Sequence, residues 1–337
     1  MIVYTHDFSN FHEISHAISV QMSKYYNDVG KITLETPIND YNIATLKNDA
    51  VLYDAQKKIA YILKNVKIDT TSNRITANGY TTNYLLNERV IASSAAVKNI
   101  ESGVYAVVND NLRGMGRMRT ADFKALEDET EITLYGGAIL EQIMPVLAKA
   151  ELGHDMLWNH RAKEHVFEVY KGVDRTTGNH AVVFSDEQGT ARNLVINEDV
   201  STFKNVAYIK SKFNDTEFVE IIGDATGDDR YETWLEITPS KEKDETEAQY
   251  REKVRTQGAL ELGKLMKRLS FNVIIDPSEL GVMYNIGDLV SCVSKRFGVK
   301  FNARITGMKY KKDAKSETTE IVLGEPKLTA IGEVKVK

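Results

Sequence analysis

Cysteine is almost missing: Cys292 is the only one in 337 residues. No disulfide can form within the chain, so packing alone must hold it, as suits synthesis in a reducing compartment. Cys292 sits in the apolar run Leu289–Val293, which reads as a strand with a half-buried thiol. Long apolar runs are also missing, and no stretch approaches the ~18 residues that would span a bilayer. Met1 to Asn10 lacks a basic segment followed by an apolar one, so neither a signal peptide nor a membrane segment is expected. Basic excess is absent: 43 Lys and Arg face 48 Asp and Glu, for a formal charge of −5. That balance argues against a nucleic-acid-binding face, which needs clustered cations on a net basic domain. Tryptophan is scarce, with 2 against 16 Tyr, and the sequence shows no clustered aromatic display, so a glycan- or receptor-binding module is kept only as an alternative.

What is present is a series of short strands. Ile14, Ile18, Val20 and Met22 alternate with small and polar residues, a period of two that marks one buried face. Asn27 to Gly30 makes a turn, and Ile32 and Leu34 resume the pattern as far as Pro37. Strands follow at 51–53, 59–66 and 74–79, and 83–90 reads as a short helical turn. Ser102 to Thr120 reads as a strand plus an exposed basic loop, and a helix over 138–152 carries Pro145 inside it. Strands return at 166–170, 181–184, 206–209, 218–222 and 234–237. A long amphipathic helix is expected over Glu245 to Leu269, its apolar stripe set by Tyr250, Val254, Leu262, Leu265, Met266 and Leu269. That stripe would pack on a sheet or on a neighbouring subunit. The last strands lie at 273–275, 288–293, 303–310 and 318–323, and the tail after Pro326 is expected to be loosely held. The pattern predicts a β-rich α+β fold with segments 1–98, 99–165, 166–244, 245–270 and 271–337.

His12-Glu13-Ile14-Ser15-His16 matches H-E-x-x-H, the zinc-peptidase pattern. Its chemistry needs a helix, where four residues rise about 6 Å and both imidazoles reach one ion. Along a strand the same four residues span roughly 13 Å and share no ion. The surrounding alternation is strand-like, so the match reads as coincidence, with a zinc peptidase kept as an alternative. His154, His160 and His165 have no common ligand spacing and read as surface or strand-edge residues. Asp224, Asp228 and Asp229 lack the alternating ligands and closing Glu of a calcium loop and read as a polar hairpin turn. The Arg113, Arg117 and Arg119 loop, with Gly114 and Gly116, reads as a flexible segment that docks on an acidic neighbour. No nucleophile elbow or phosphate loop is present. No catalytic, cofactor-binding or metal residue is therefore assigned, and no cofactor is expected.

Four blocks, in order, resemble one family. The first is Tyr25-Tyr26-Asn27-Asp28-Val29-Gly30 with Ile32, Leu34 and Pro37. The second is Ile75, Gly79, Leu85, Leu86, Asn87, Arg89 and Val90. The third and most specific is Val169-Tyr170-Lys171-Gly172-Val173-Asp174-Arg175-Thr176, followed by Val183-Phe184-Ser185, Gly189 and Lys204 to Ala207. The fourth runs from Tyr250 to Tyr284, Gly287-Asp288-Leu289-Val290, Ala303-Arg304-Ile305 and Leu323-Gly324. Together they resemble the siphophage tail-hub, or baseplate-hub, proteins, which are similar in fold to the hub of contractile myophage baseplates. The resemblance implies two barrel-like tube-type domains per chain and a homotrimeric ring. That ring would join the tail tube and distal-tail ring to tip, fibre or tape-measure proteins, and would leave a lumen for the genome. It implies a virion location at the tail tip, no enzyme activity, and no specific nucleic-acid or membrane partner. The mild negative charge suits a lumen through which DNA slides without sticking. The Arg113–Arg119 loop and the apolar face of the long helix are the segments expected at subunit contacts.

Overall fold

The computed structural model describes residues 1–324 except 93–94, 127–131, 135, 186, 188, 192, 242, 244, 264, 266–267, 276–277 and 296–297. The chain forms two units, one from Met1–Val195 with the chain from Asn272 onward, the other from Ile196–Phe271. It is β-rich with few helices, the α+β class that the short strands predict.

The larger unit opens with β1 (Ile2–Tyr4), β2 (Phe11–Glu13), β3 (Ser19–Tyr25), β4 (Lys31–Pro37), helix α1 (Asp40–Thr45), β5 (Val51–Asp54), β6 (Ile59–Asp69) and β7 (Arg74–Thr81). A 3₁₀ turn over Thr82–Glu88 leads to β8 (Ala95–Val97), α2 (Ile100–Asn111), β9 (Met118–Thr120), β10 (Ile132–Leu134), α3 (Ile139–Lys149), β11 (Gly153–Asn159), β12 (Glu164–Tyr170) and β13 (Val183–Ser185). Strand β14 (Asn193–Asp199) crosses the unit boundary. The smaller unit holds β15 (Val206–Phe213), β16 (Thr216–Ile222), β17 (Glu232–Glu236) and α4 (Glu247–Gly263). The chain then returns through β18 (Arg268–Ile275) to β19 (Leu289–Ser294), β20 (Val299–Lys312) and β21 (Glu317–Leu323) in the larger unit.

One curled sheet dominates the larger unit, in the order β18-β21-β20-β3-β4-β7-β6-β5-β1-β2. Alternation drives it. On β4, Ile32 and Leu34 are buried while Lys31 is exposed, and on β7 Ile75 and Ala77 face the same core. The pairing of β20 with β3, Tyr310 opposite Met22, ties the end of the chain to its start. A second core gathers under α2 and α3, from Val104, Val108, Leu140, Ile143 and Leu147 against Phe167 and Val169 of β12.

Three sequence readings change here. The first part of the 102–120 segment, expected as a strand plus an exposed loop, belongs instead to α2 (Ile100–Asn111). Ile100, Val104, Val107 and Val108 recur at helical spacing, and Asn99 caps the helix by accepting from the Ser102 N–H at 3.0 Å. Gly103 hid the period, yet a Cβ there would meet Val97 Cγ1 at 1.9 Å, so packing against β8 requires glycine. Second, the long helix is shorter than its stripe predicts and stops at Gly263, so Leu265 lies beyond it and Leu269 falls on β18. Met266 lies outside the described residues. Third, β11 has no counterpart in the sequence reading; it pairs along its whole length with β12. Helix α3 does form with Pro145 inside it.

Candidate assembly interface

The residues of the zinc-like pattern are not gathered. His12 and Glu13 lie on β2, pointing to opposite sides of a strand paired with Val3 and Ile2. His16 lies past the end of β2, where its carbonyl accepts from Thr36 Oγ1 at 3.0 Å. The His12 ring stacks on Tyr41 at 5.3 Å between centroids. Among the described residues, no group of three or more His, Cys, Asp or Glu could hold a metal ion.

His154 and His165 are corrections, because both are buried, at 1% and 4% exposure, instead of lying at the surface. They occupy inward positions on β11 and β12, while His160 is exposed in the connecting turn. Burial pushes both imidazoles down to about 4, so they are neutral at pH 7. His154 Nδ1 faces Asn83 Nδ2 at 3.2 Å, and His165 packs on Trp158 with ring centroids 4.8 Å apart. Cys292 is fully buried, not half-buried, and burial pushes its thiol up to about 12, which leaves it unreactive.

The arginine loop is engaged within its own chain. Arg113 donates to the Val90 carbonyl at 3.0 Å, Arg117 lies over the Phe8 ring at 4.9 Å, and Arg119 donates to Glu164 at 3.3 Å. The apolar stripe of α4 is likewise covered by its own sheet, with Tyr250 and Val254 buried on Ala207 and Ile209. Thr246 and Gln249 start that helix with a reciprocal cap. Gly258 permits the close approach, since a Cβ there would meet Ile209 Cδ1 at 1.9 Å. Across the seam Glu220 of β16 accepts from Arg251 at 2.7 Å and Arg255 at 2.8 Å. Burial works to raise that carboxyl, and the two guanidinium groups outweigh it and hold it below its ordinary range. Both segments expected at subunit contacts thus make contacts within their own chain, while the three arginines of the loop remain exposed.

Residues of the first, third and fourth family-like blocks meet at one place in the larger unit. Tyr26, from the first, donates through its hydroxyl to the Glu151 carbonyl at 2.8 Å and accepts from Gly172 N–H at 3.2 Å. Gly172, from the third, passes so close to the fourth that a Cβ would lie 1.7 Å from the Gly287 carbonyl oxygen. Asp288, 2% exposed, accepts from Val173 N–H at 2.8 Å, Arg175 Nε at 2.5 Å and Asn285 N–H at 2.9 Å. Arg304 completes the junction, donating to the Gly287 carbonyl at 2.6 Å and to Glu151 at 3.0 Å, 5.5 Å from the centre of the Tyr26 ring. In these blocks Gly172 permits a close approach of two backbone segments, and Asp288 and Arg304 bind backbone groups beside it.

This junction forms one wall of a cleft of about 860 Å³ in the larger unit. Its carboxylates are each matched by a cation: Asp155 by Lys24, Glu168 by Lys124, Asp288 by Arg175 and Glu317 by Lys312. Lys57, Lys58 and Lys171 also line it and leave it with surplus positive charge. Beside it Val173, Val282 and Met283 are 54%, 79% and 58% exposed.

The smaller unit carries a surface of the opposite sign. Its sheet runs β16-β15-β17, with β17 parallel to β15, so the segment between β16 and β17 is a crossover and not the expected hairpin turn. Asp224, Asp228 and Asp229 are exposed on that crossover. Arg230, the only cation between 223 and 232, is bound to Glu232 at 2.5 Å and to the Ala225 carbonyl. On the face away from α4, Ile221, Tyr208 and Trp234 lie side by side across the three strands, one row from the end that the crossover spans. Ile221 and Trp234 are 54% and 56% exposed. The aromatic display that the sequence hid is thus assembled by strand pairing, with one tryptophan outside and the other, Trp158, in the core.

Solved structures share this fold over almost the whole chain. The tail protein from Neisseria meningitidis MC58 aligns at TM-score 0.57 with 12% identity, covering 96% of each chain. The 43 kDa tail protein of prophage MuSo2 from Shewanella oneidensis aligns at 0.59 with 10% identity, over 96% of this chain and 98% of that one. Prophage tail protein gp18 from Listeria monocytogenes EGD-e aligns at 0.54 with 13% identity, over 95% and 93%. No curated protein matches the sequence. The model of the siphovirus ReqiPepy6 Gp37-like protein family spans residues 1–325, blocks and junction included, and the chain belongs to that family of phage tail proteins.

Proposed function

We propose that the chain is a hub subunit at the distal end of a phage or phage-derived tail. Three copies close a ring that joins the tail tube and distal-tail ring to the tip proteins and leaves a lumen for the genome. The observation that carries this reading is co-extension: family model and fold likeness both run nearly end to end, so the chain's work is that of the whole fold. The family-like residues build a rigid backbone junction, as expected of a load-transmitting part. Exposed apolar side chains on both units call for coverage by neighbours. Two barrel-like domains per chain, which would let three copies match a six-fold tube, belong to the same proposal. No helix among the described residues is long and apolar enough to cross a membrane. Immunogold labelling of purified particles tests the location: label confined to the distal end of the tail supports it, and label along the tube or absent from particles overturns it.

A further inference from the structure

The ring reading leaves open which surfaces meet. We propose that copies join head to tail, the lysine-flanked cleft of the larger unit receiving the acidic crossover and exposed apolar row of the smaller unit of the next copy. The inference rests on the ring reading and names its contact.

Complementarity carries it. The cleft's lining holds five lysines against four carboxylates, each of those carboxylates has a cation partner, and Lys58 and Lys171 are exposed at the lining, so it presents positive charge. Asp224, Asp228 and Asp229 give the crossover three negative charges, and its one cation is already committed to Glu232. Each charged group borders exposed apolar surface: Val173, Val282 and Met283 beside the cleft, Ile221 and Trp234 beside the crossover. An apolar centre with a charged rim is the ordinary anatomy of a protein contact, and an exposed tryptophan its usual anchor. The two surfaces differ from each other, so the contact is heterologous, and a heterologous contact closes into a ring when its rotation allows. Two-fold pairing of either surface with itself would set like charges together. Aliphatic Ile221 beside Trp234 favours a protein occupant over a sugar, which stacks on flat rings.

The test uses the full chain and its association measured by sedimentation. Lys58→Glu with Lys171→Glu, and separately Asp228→Lys with Asp229→Lys, are each expected to weaken self-association at least tenfold. Circular dichroism and melting temperature should stay at the parent's values, since all four side chains are at the surface. Joining both pairs of changes in one chain should restore association to within about threefold of the parent. Mixing the two separately altered chains should restore unlike pairs of copies, which only a contact between copies can do; a ring of three cannot alternate the two, so one contact in each mixed ring stays weakened. Trp234→Ser should weaken association and should not be rescued by either charge change. A parent that assembles while all variants assemble equally well overturns this contact and leaves the ring standing. Rescue in the combined chain without rescue in the mixture places the contact within one chain and overturns the head-to-tail arrangement. A parent that stays monomeric alone and with its tail neighbours overturns the ring reading and this contact with it.

Discussion

The larger unit is held at its junction by residues that are far apart in sequence, the smaller unit by neighbours. Around Asp288, donors arrive from Val173, Arg175 and Asn285, while Tyr26 and Arg304 clamp the same turn from the two ends of the chain. In the smaller unit one continuous stretch supplies everything: three strands, one helix, a core centred on Ala207, Ile209, Tyr250 and Val254, and the Glu220 clamp. The long-range unit must form as a whole, because its junction exists only when first and last strands are both in place. The local unit has a small core, from which easier opening is expected.

Each unit holds one tryptophan, buried Trp158 in the larger and exposed Trp234 in the smaller, so the comparison can be broken one side at a time. Asp288→Ala, in a chain whose sole tryptophan is Trp158, strands one guanidinium and two backbone donors. It should cost the larger unit about 3–5 kcal/mol, read by urea unfolding. Acid should act on the same unit. The folded histidines His154 and His165 titrate near 4 and the unfolded ones near 6.5, so between these values the unfolded chain binds more protons. Stability is therefore full above that window and falls as pH drops through it, by about 2 kcal/mol per histidine between pH 7 and 5. His165→Phe should remove about half of that slope. On the other side, Glu220→Gln should lower the unfolding midpoint seen by Trp234 by an amount worth about 1–2 kcal/mol. It weakens a partly exposed clamp and should leave the Trp158 signal unmoved. The smallest effect is expected at the zinc-like pattern: His12→Ala loses a stack on an exposed tyrosine and should change stability by no more than about 0.5 kcal/mol, with or without chelator.

Strand alternation made much of the sheet legible, since β4 and β7 bury every second side chain and the turn at Asn27–Gly30 joins β3 to β4. In the zinc-like pattern His12 and Glu13 lie on β2 and His16 lies past its end, so the helix that its chemistry needs does not form there. What sequence could not convey is what packing decides. Gly103 obscured α2 because its reason for being glycine lies in Val97, on another element. His154 and His165 looked like surface residues because nothing local reveals which face of β11 and β12 turns inward. The aromatic row of Tyr208 and Trp234 appears only when β15 and β17 are set side by side. The junction was visible as motifs but not as a structure: Tyr26, Gly172, Asp288 and Arg304 are unremarkable singly, and their meeting depends on the β20–β3 pairing.

The central claim is that this chain works as a ring of three. Light scattering of the purified protein, alone and with the distal-tail ring protein, combined with negative-stain images of the same fractions, tests it most directly. A mass of three chains and particles with an open centre are the predicted result. A monomer in both preparations, or a closed assembly without a lumen, would contradict it.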